Sequence, residues 1–158
     1  MAQTKRKPRE AAERDGRPAA IVTNGLSKRY GSRPAVDALS IEVPTGVVAG
    51  FIGPNGAGKT TMMAMLLGLV RPTAGTATVL GSSIEAPASY LHRVGALIEA
   101  PSFWPGLTGV QNLQALAVLG GHDQSQILDV LALVGLDARG SDRFGDYSFG
   151  MKQRLGIA

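Results

Sequence analysis

The stretch from residue 47 to residue 60 constrains this chain more than any other. Residues 47–52, Val-Val-Ala-Gly-Phe-Ile, form a short and almost wholly apolar run, the pattern of a strand buried on both faces of a parallel sheet. The run leads directly into Gly53-Pro54-Asn55-Gly56-Ala57-Gly58-Lys59-Thr60. Residues 60–69, rich in Met and Leu and followed by Arg71 and Pro72, then read as a helix. A strand that turns through glycines into a helix gathers backbone N–H groups and the positive end of the helix dipole at one point, where an anion is favoured.

Residues 53–60 satisfy G-x-x-x-x-G-K-[ST] in the strand-to-helix context that this motif needs. The glycines Gly53, Gly56 and Gly58 let the backbone wrap closely around a nucleotide β-phosphate, with Asn55 and Thr61 completing the expected set. Lys59 then reaches the β- and γ-phosphates, and the Thr60 hydroxyl can bind Mg²⁺. A glycine turn that only caps a helix is the competing reading, and the apolar run before it and the helix after it weigh against that.

Ahead of the loop, residues 21–26 and 39–43 alternate apolar and polar side chains across a Gly- and Pro-containing connection, predicting antiparallel strands with one wet face. Behind it, residues 76–80, closed by Gly81, predict a strand and residues 94–98 another, with a short helix over 88–93 between them. From Pro101 the pattern is helical. Helices are expected over 110–119 and 124–134, ending at Gly120 and Gly135, and a last one begins at Ser148 and runs to Ala158.

With 44% hydrophobic and 18% charged residues among 158, the chain can bury a sizeable core. Its longest apolar stretches, 62–70 and 113–119, fall short of the roughly 20 residues that span a bilayer, and no signal-peptide pattern follows Met1. Cysteine is absent, which excludes disulfides and thiolate metal sites. His92 and His122 lie far apart and are expected on the surface. Of the net charge of +4, +3 falls in residues 1–20, where six cations face three acids; this segment is expected to be a disordered basic tail. The remainder is near neutral, so no nucleic-acid partner is expected.

Three further segments resemble the ATPases of ABC transporters. Lys28-Arg29-Tyr30-Gly31 is similar to their aromatic loop, which implies that Tyr30 stacks on adenine. Tyr147-Ser148-Phe149-Gly150-Met151-Lys152-Gln153-Arg154 resembles their signature motif, with Phe149 and Met151 standing where glycine and glutamine are usual. Ser148 reads as a helix N-cap, and the resemblance implies that Ser148 and Gly150 contact ATP held by a second ATPase subunit in a head-to-tail dimer. Residues 95–108 resemble the Q-loop segment, with Glu99 in place of the usual glutamine, implying Glu99 as a contact to Mg²⁺ or to the attacking water. Phe103 and Trp104 follow, where the family touches a coupling helix of its membrane partner; core packing is an equal reading for both.

The Glu-Ala-Pro variant at Glu99, with this form of the signature, is similar to ATPases of the bacitracin-resistance and lantibiotic-immunity exporters. The resemblance implies an α/β P-loop NTPase of ABC type, with an antiparallel β subdomain and an α-helical subdomain over about 101–158. Its parallel core sheet is expected to be incomplete, because the family's Walker B strand, catalytic glutamate and switch histidine come after the signature helix. Residues 21–158 are thus expected to be an ABC ATPase domain truncated after the signature, with no catalytic residue beyond Glu99 and little activity in isolation. The implied function is the ATP-binding subunit of an exporter, with peptide antibiotics as the cargo that the resemblance suggests and ATP and Mg²⁺ as cofactors. Its implied partners are a second ATPase subunit and a separate transmembrane permease, through which it sits in the cytoplasm on the inner face of the cell membrane. The alternative is a non-hydrolytic nucleotide-binding fragment left by truncation. A soluble ABC protein of translation would carry two cassettes in one chain.

Overall fold

A computed structural model describes residues 18–98 and 102–158, which form two compact units divided in the sequence between Val94 and Gly95. Residues 1–17 of the expected tail, and Glu99, lie outside the described residues.

The first unit begins with a long hairpin, β1 (Ala19–Tyr30) against β2 (Arg33–Pro44), so residues 19 and 20 belong to the sheet and not to a tail. The expected antiparallel pairing is present, with Ile21 opposite Val43, Leu26 opposite Leu39 and Tyr30 opposite Arg33. The register shifts between Thr23 and Leu26, and small hydroxyls repair the interrupted ladder there. Thr23 Oγ1 donates to the Leu39 carbonyl at 2.9 Å and accepts from the Ile41 N–H at 3.0 Å. Ser27 Oγ donates to the Gly25 carbonyl at 3.0 Å and accepts from the Ala38 N–H at 2.8 Å. β3 (Ala74–Val79) and the two-residue β4 (Ser82–Ser83) complete a four-stranded antiparallel sheet in the order β2-β1-β3-β4.

The helix after the glycine loop, α1 (Lys59–Leu66), lays Met62, Met65 and Leu66 among Leu26, Val36, Ala77 and Val79 of the sheet, and Ile84 and Tyr90 join the same cluster. Each fully buried side chain of this size contributes about 1.5–3 kcal/mol. Tyr90 is almost fully buried, and its O–H donates to the Leu66 carbonyl at 2.7 Å, satisfying one of the carbonyls that a helix end leaves without an internal partner. Two 3₁₀ turns, Pro87–Ser89 and Leu91–Arg93, stand in place of the helix expected over 88–93.

Two expected strands are not formed. Residues 47–52 carry no strand pairing, and Val48 and Ile52 are 105% and 95% exposed. The apolar run suits a strand covered on both sides, but the described sheet is wholly antiparallel and offers no neighbour along which this segment could form a ladder. Residues 94–98 are likewise unpaired, although Val94 is extended with φ −124° and ψ 115°. The described sheet is therefore antiparallel where a mixed sheet was expected.

The second unit is helical. It contains α2 (Gly109–Gly120), a 3₁₀ turn Gln124–Gln126 running into α3 (Ile127–Leu133), turns at Asp137–Arg139 and Phe144–Asp146, and α4 (Phe149–Ile157). Leu113, Ile127, Leu131, Leu136, Phe144, Tyr147 and Leu155 form its core. A capping box starts α2: the Gln111 N–H donates to Thr108 Oγ1 at 3.1 Å, and the Thr108 N–H donates to Gln111 Oε1 at 2.9 Å. The helix stops at Gly121, with φ 67°, one residue after the expected Gly120. Asn112, fully buried on α2, accepts from the Trp104 N–H at 2.9 Å and donates its two amide hydrogens to the carbonyls of Trp104 and Thr108, the Leu107 carbonyl sharing one of them at 3.3 Å. One amide thereby fixes the loop that precedes the helix. Among the described residues no helix is long and apolar enough to cross a membrane.

Candidate functional site

The glycine loop sits where the sequence places it, although the run before it is not a strand. Gly56 and Gly58 adopt φ of 80° and 85°, a left-handed conformation that glycine takes without steric cost. At Gly58 space is a second constraint, since a Cβ would collide with the Ala35 carbonyl oxygen and press on Val36. Gly58 is also the N-cap of α1, so no side chain caps that helix, and its first turn holds no acidic residue. The leading N–H groups of α1 therefore have no capping side chain, an arrangement suited to an anion. Lys59 folds back over the loop, its Nζ donating to the carbonyls of Gly53 at 2.5 Å and Pro54 at 2.8 Å.

This loop forms one side of a cleft of about 420 Å³, within the size range of small-molecule sites. Asn55, Gly56, Gly58, Lys59, Thr60 and Thr61 line that side. Tyr30 of β1 and Arg33, Pro34 and Ala35 of β2 complete the lining. Tyr30 is 54% exposed, leaving ring surface for stacking, and Lys28 Nζ lies 5.2 Å from its centroid. Gly53 does not line the cleft and contributes its carbonyl to Lys59. Sequence reading singled out neither Arg33 nor its two successors. The signal was the position of Arg33 directly across the hairpin turn from the aromatic residue.

Ser148 and Gly150 belong to the second unit and are not among the residues that line the cleft. Ser148 is the N-cap of α4, its Oγ accepting from the Met151 N–H at 3.3 Å. Gly150 is exposed and has open space where a Cβ would stand, and Phe149 is largely exposed. The structure separates the two aromatic residues read together in the sequence. Phe103 packs edge-on against Phe144 at 5.1 Å, within the second core, whereas Trp104 stays 48% exposed. Both histidines are exposed, and no group of three His, Cys, Asp or Glu side chains among the described residues could hold a metal.

Comparison with known proteins places this geometry. The family described as ABC transporter matches residues 36–158. The chain belongs to the ABC transporter family. It is 46% identical over 140 residues to the bacitracin transport ATP-binding protein BcrA of Enterococcus faecalis, covering 87% of this chain and 46% of that protein. It is 38% identical over 138 residues to the lantibiotic transport ATP-binding protein SrtF of Streptococcus pyogenes, covering 87% of this chain and 59% of that one. The chain thus spans about half the length of the curated relatives it matches. Among solved structures, an ATP-binding subunit of an ABC transporter superposes with a TM-score of 0.72 at 26% identity, over 87% of this chain and 60% of that one. The cbiO1 structure from Clostridium perfringens superposes with a TM-score of 0.76 at 20% identity, over 88% and 59% of the two chains, and bears on the fold alone. The fold is the α/β fold of ABC ATP-binding subunits, as the resemblance implied.

Proposed function

We propose that this chain is the nucleotide-binding part of an ABC transporter subunit that couples ATP binding and hydrolysis to export. The observation that carries this reading is a single cleft lined both by an exposed aromatic ring and by an uncapped helix start with its lysine. Tyr30 stacks on the adenine, and the leading N–H groups of α1 receive the phosphates. Lys59 exchanges the carbonyls of Gly53 and Pro54 for β- and γ-phosphate oxygens, and that exchange lets the loop change shape on binding. The Thr60 hydroxyl, exposed on the cleft wall, is the residue that would hold Mg²⁺, with Glu99 the expected second contact. Mg²⁺, when bound, offsets charge on the β- and γ-phosphates.

Ser148 and Gly150 are assigned to the ATP of a second subunit, which makes nucleotide the bridge of a head-to-tail dimer. ATP binding then closes the dimer and hydrolysis reopens it. The names of the relatives, bacitracin and lantibiotic transport, favour peptide antibiotics as cargo and a separate membrane permease as partner. That partner would hold the subunit at the cytoplasmic face of the membrane, and exposed Trp104 is the residue we assign to the contact.

A second reading, nucleotide binding without hydrolysis by this stretch of chain, is favoured by one observation: no carboxylate is among the described residues lining the cleft. Equilibrium binding of a fluorescent ATP analogue to the full-length protein, with phosphate release measured in the presence and absence of Mg²⁺, tests both. Binding weakened at least about tenfold by Lys59→Ala supports a nucleotide site. Mg²⁺-dependent release then favours the ATPase, and binding without release favours the second reading. An analogue that binds wild type and Lys59→Ala equally sinks both.

A further inference from the structure

We infer that Arg33 is a further nucleotide-binding residue, its guanidinium taking the α-phosphate while Tyr30 holds the base; the inference rests on the nucleotide reading of the cleft. Tyr30 and Arg33 are the directly opposed pair that closes the β1–β2 hairpin, and both line the cleft. The two cations just before Tyr30 already have backbone partners. Lys28 Nζ donates to the Arg71 carbonyl at 2.7 Å, and Arg29 Nη2 donates to the Ser32 carbonyl at 2.7 Å, which also holds the turn. The Arg33 side chain has no hydrogen bond or ion pair with the other described residues, and none of the described residues lining the cleft is a carboxylate that would compete for it.

Its place along the wall selects the part of the ligand. The carbonyl of Ala35 abuts Gly58 of the loop, and Arg33 precedes it by two residues, roughly 7 Å at strand spacing. Arg33 therefore stands between the stacking ring and the phosphate loop, where the ribose and α-phosphate of a bound nucleotide lie. A guanidinium there presents a planar fork of donors matched to two phosphate oxygens.

Competition by adenosine, AMP and ADP against a fluorescent ADP analogue, on the full-length protein, tests this. Arg33→Gln is expected to weaken AMP and ADP alike by about tenfold and to leave adenosine unchanged. Arg33→Lys, which keeps the charge and loses the fork, is expected to recover part of the loss. Lys59→Ala is expected to weaken ADP and spare AMP, since Lys59 serves the outer phosphates. Unchanged AMP and ADP binding in Arg33→Gln overturns the assignment, and so does an equal loss for adenosine, which would put the guanidinium on the base or ribose. Wild type that binds none of the three brings down the nucleotide reading itself, a result distinct from either.

Discussion

In the first unit a ladder joins the backbone over long stretches: β1 pairs on one edge with β2 and on the other with β3, and side chains add bonds at register slips, turns and helix ends. The second unit has no named strand among its described residues, and side chains join its short elements instead. Asn112 holds the loop before α2, Tyr147 O–H donates to the Arg139 carbonyl at 2.7 Å, and Arg154 on α4 donates to the carbonyls of Val134 and Gly135 at the end of α3. Long ladders need no particular side chains, so the first unit can give the cleft its glycines and leave Tyr30 and Arg33 exposed. Short helices nucleate poorly and depend on caps and packing, so the second unit is held by a few residues whose loss is felt at once.

The sharpest way to break this comparison is at Leu131, which is fully buried in the second core. Leu131→Ala is expected to cost about 2–5 kcal/mol, read by hydrogen exchange as lost protection in α2, α3 and α4. If the amides of β1 and β2 lose protection equally, the two units unfold as one and the contrast fails. Asn112→Ala comes next, at about 1–3 kcal/mol, because several buried backbone groups lose their partner together; exchange at the Trp104 amide should show it first.

The smallest effect is expected at Tyr90→Phe, about 1 kcal/mol in denaturant unfolding, since one hydrogen bond is lost and the ring still packs. The same residue gives a pH test. Burial raises the Tyr90 phenol above its ordinary value of 10.0. Burial first, and then the Asp142 carboxylate, raise Tyr147 as well, with Arg139 opposing. The folded state therefore prefers both phenols neutral. Their contribution is complete below pH 10.0 and falls as pH rises through the folded values. A thermal midpoint that falls above that pH in wild type, and falls less in Tyr90→Phe, is the expected result.

Local chemistry was legible in the sequence. The glycines and Lys59 of the loop and Ser148 as a helix cap depend on residues within a few positions of each other, and the pairing of β1 with β2 joins segments adjacent in the sequence across one tight turn. The apolar run at 47–52 misled because apolarity records that a segment wants cover, while a ladder also requires a neighbouring strand, and that is a property of distant sequence. The same holds for residues 94–98. Arg33 went unread because it belongs to no motif, and its place on the cleft wall arises from the hairpin register that sets it beside Tyr30. Asn112 was missed for a related reason: a polar residue inside a helical pattern reads as solvated, and only the folded loop supplies its four partners.

The close approach of Gly58 to the Ala35 carbonyl also sets the mutational spectrum of the loop. Every missense change at a glycine codon adds at least a Cβ, so codon 58 admits only synonymous change. Codon 56, with the same handedness of backbone and no protein atom close to where a Cβ would stand, is limited within the fold by conformation, which asparagine can adopt, and any further limit there would come from what the cleft binds.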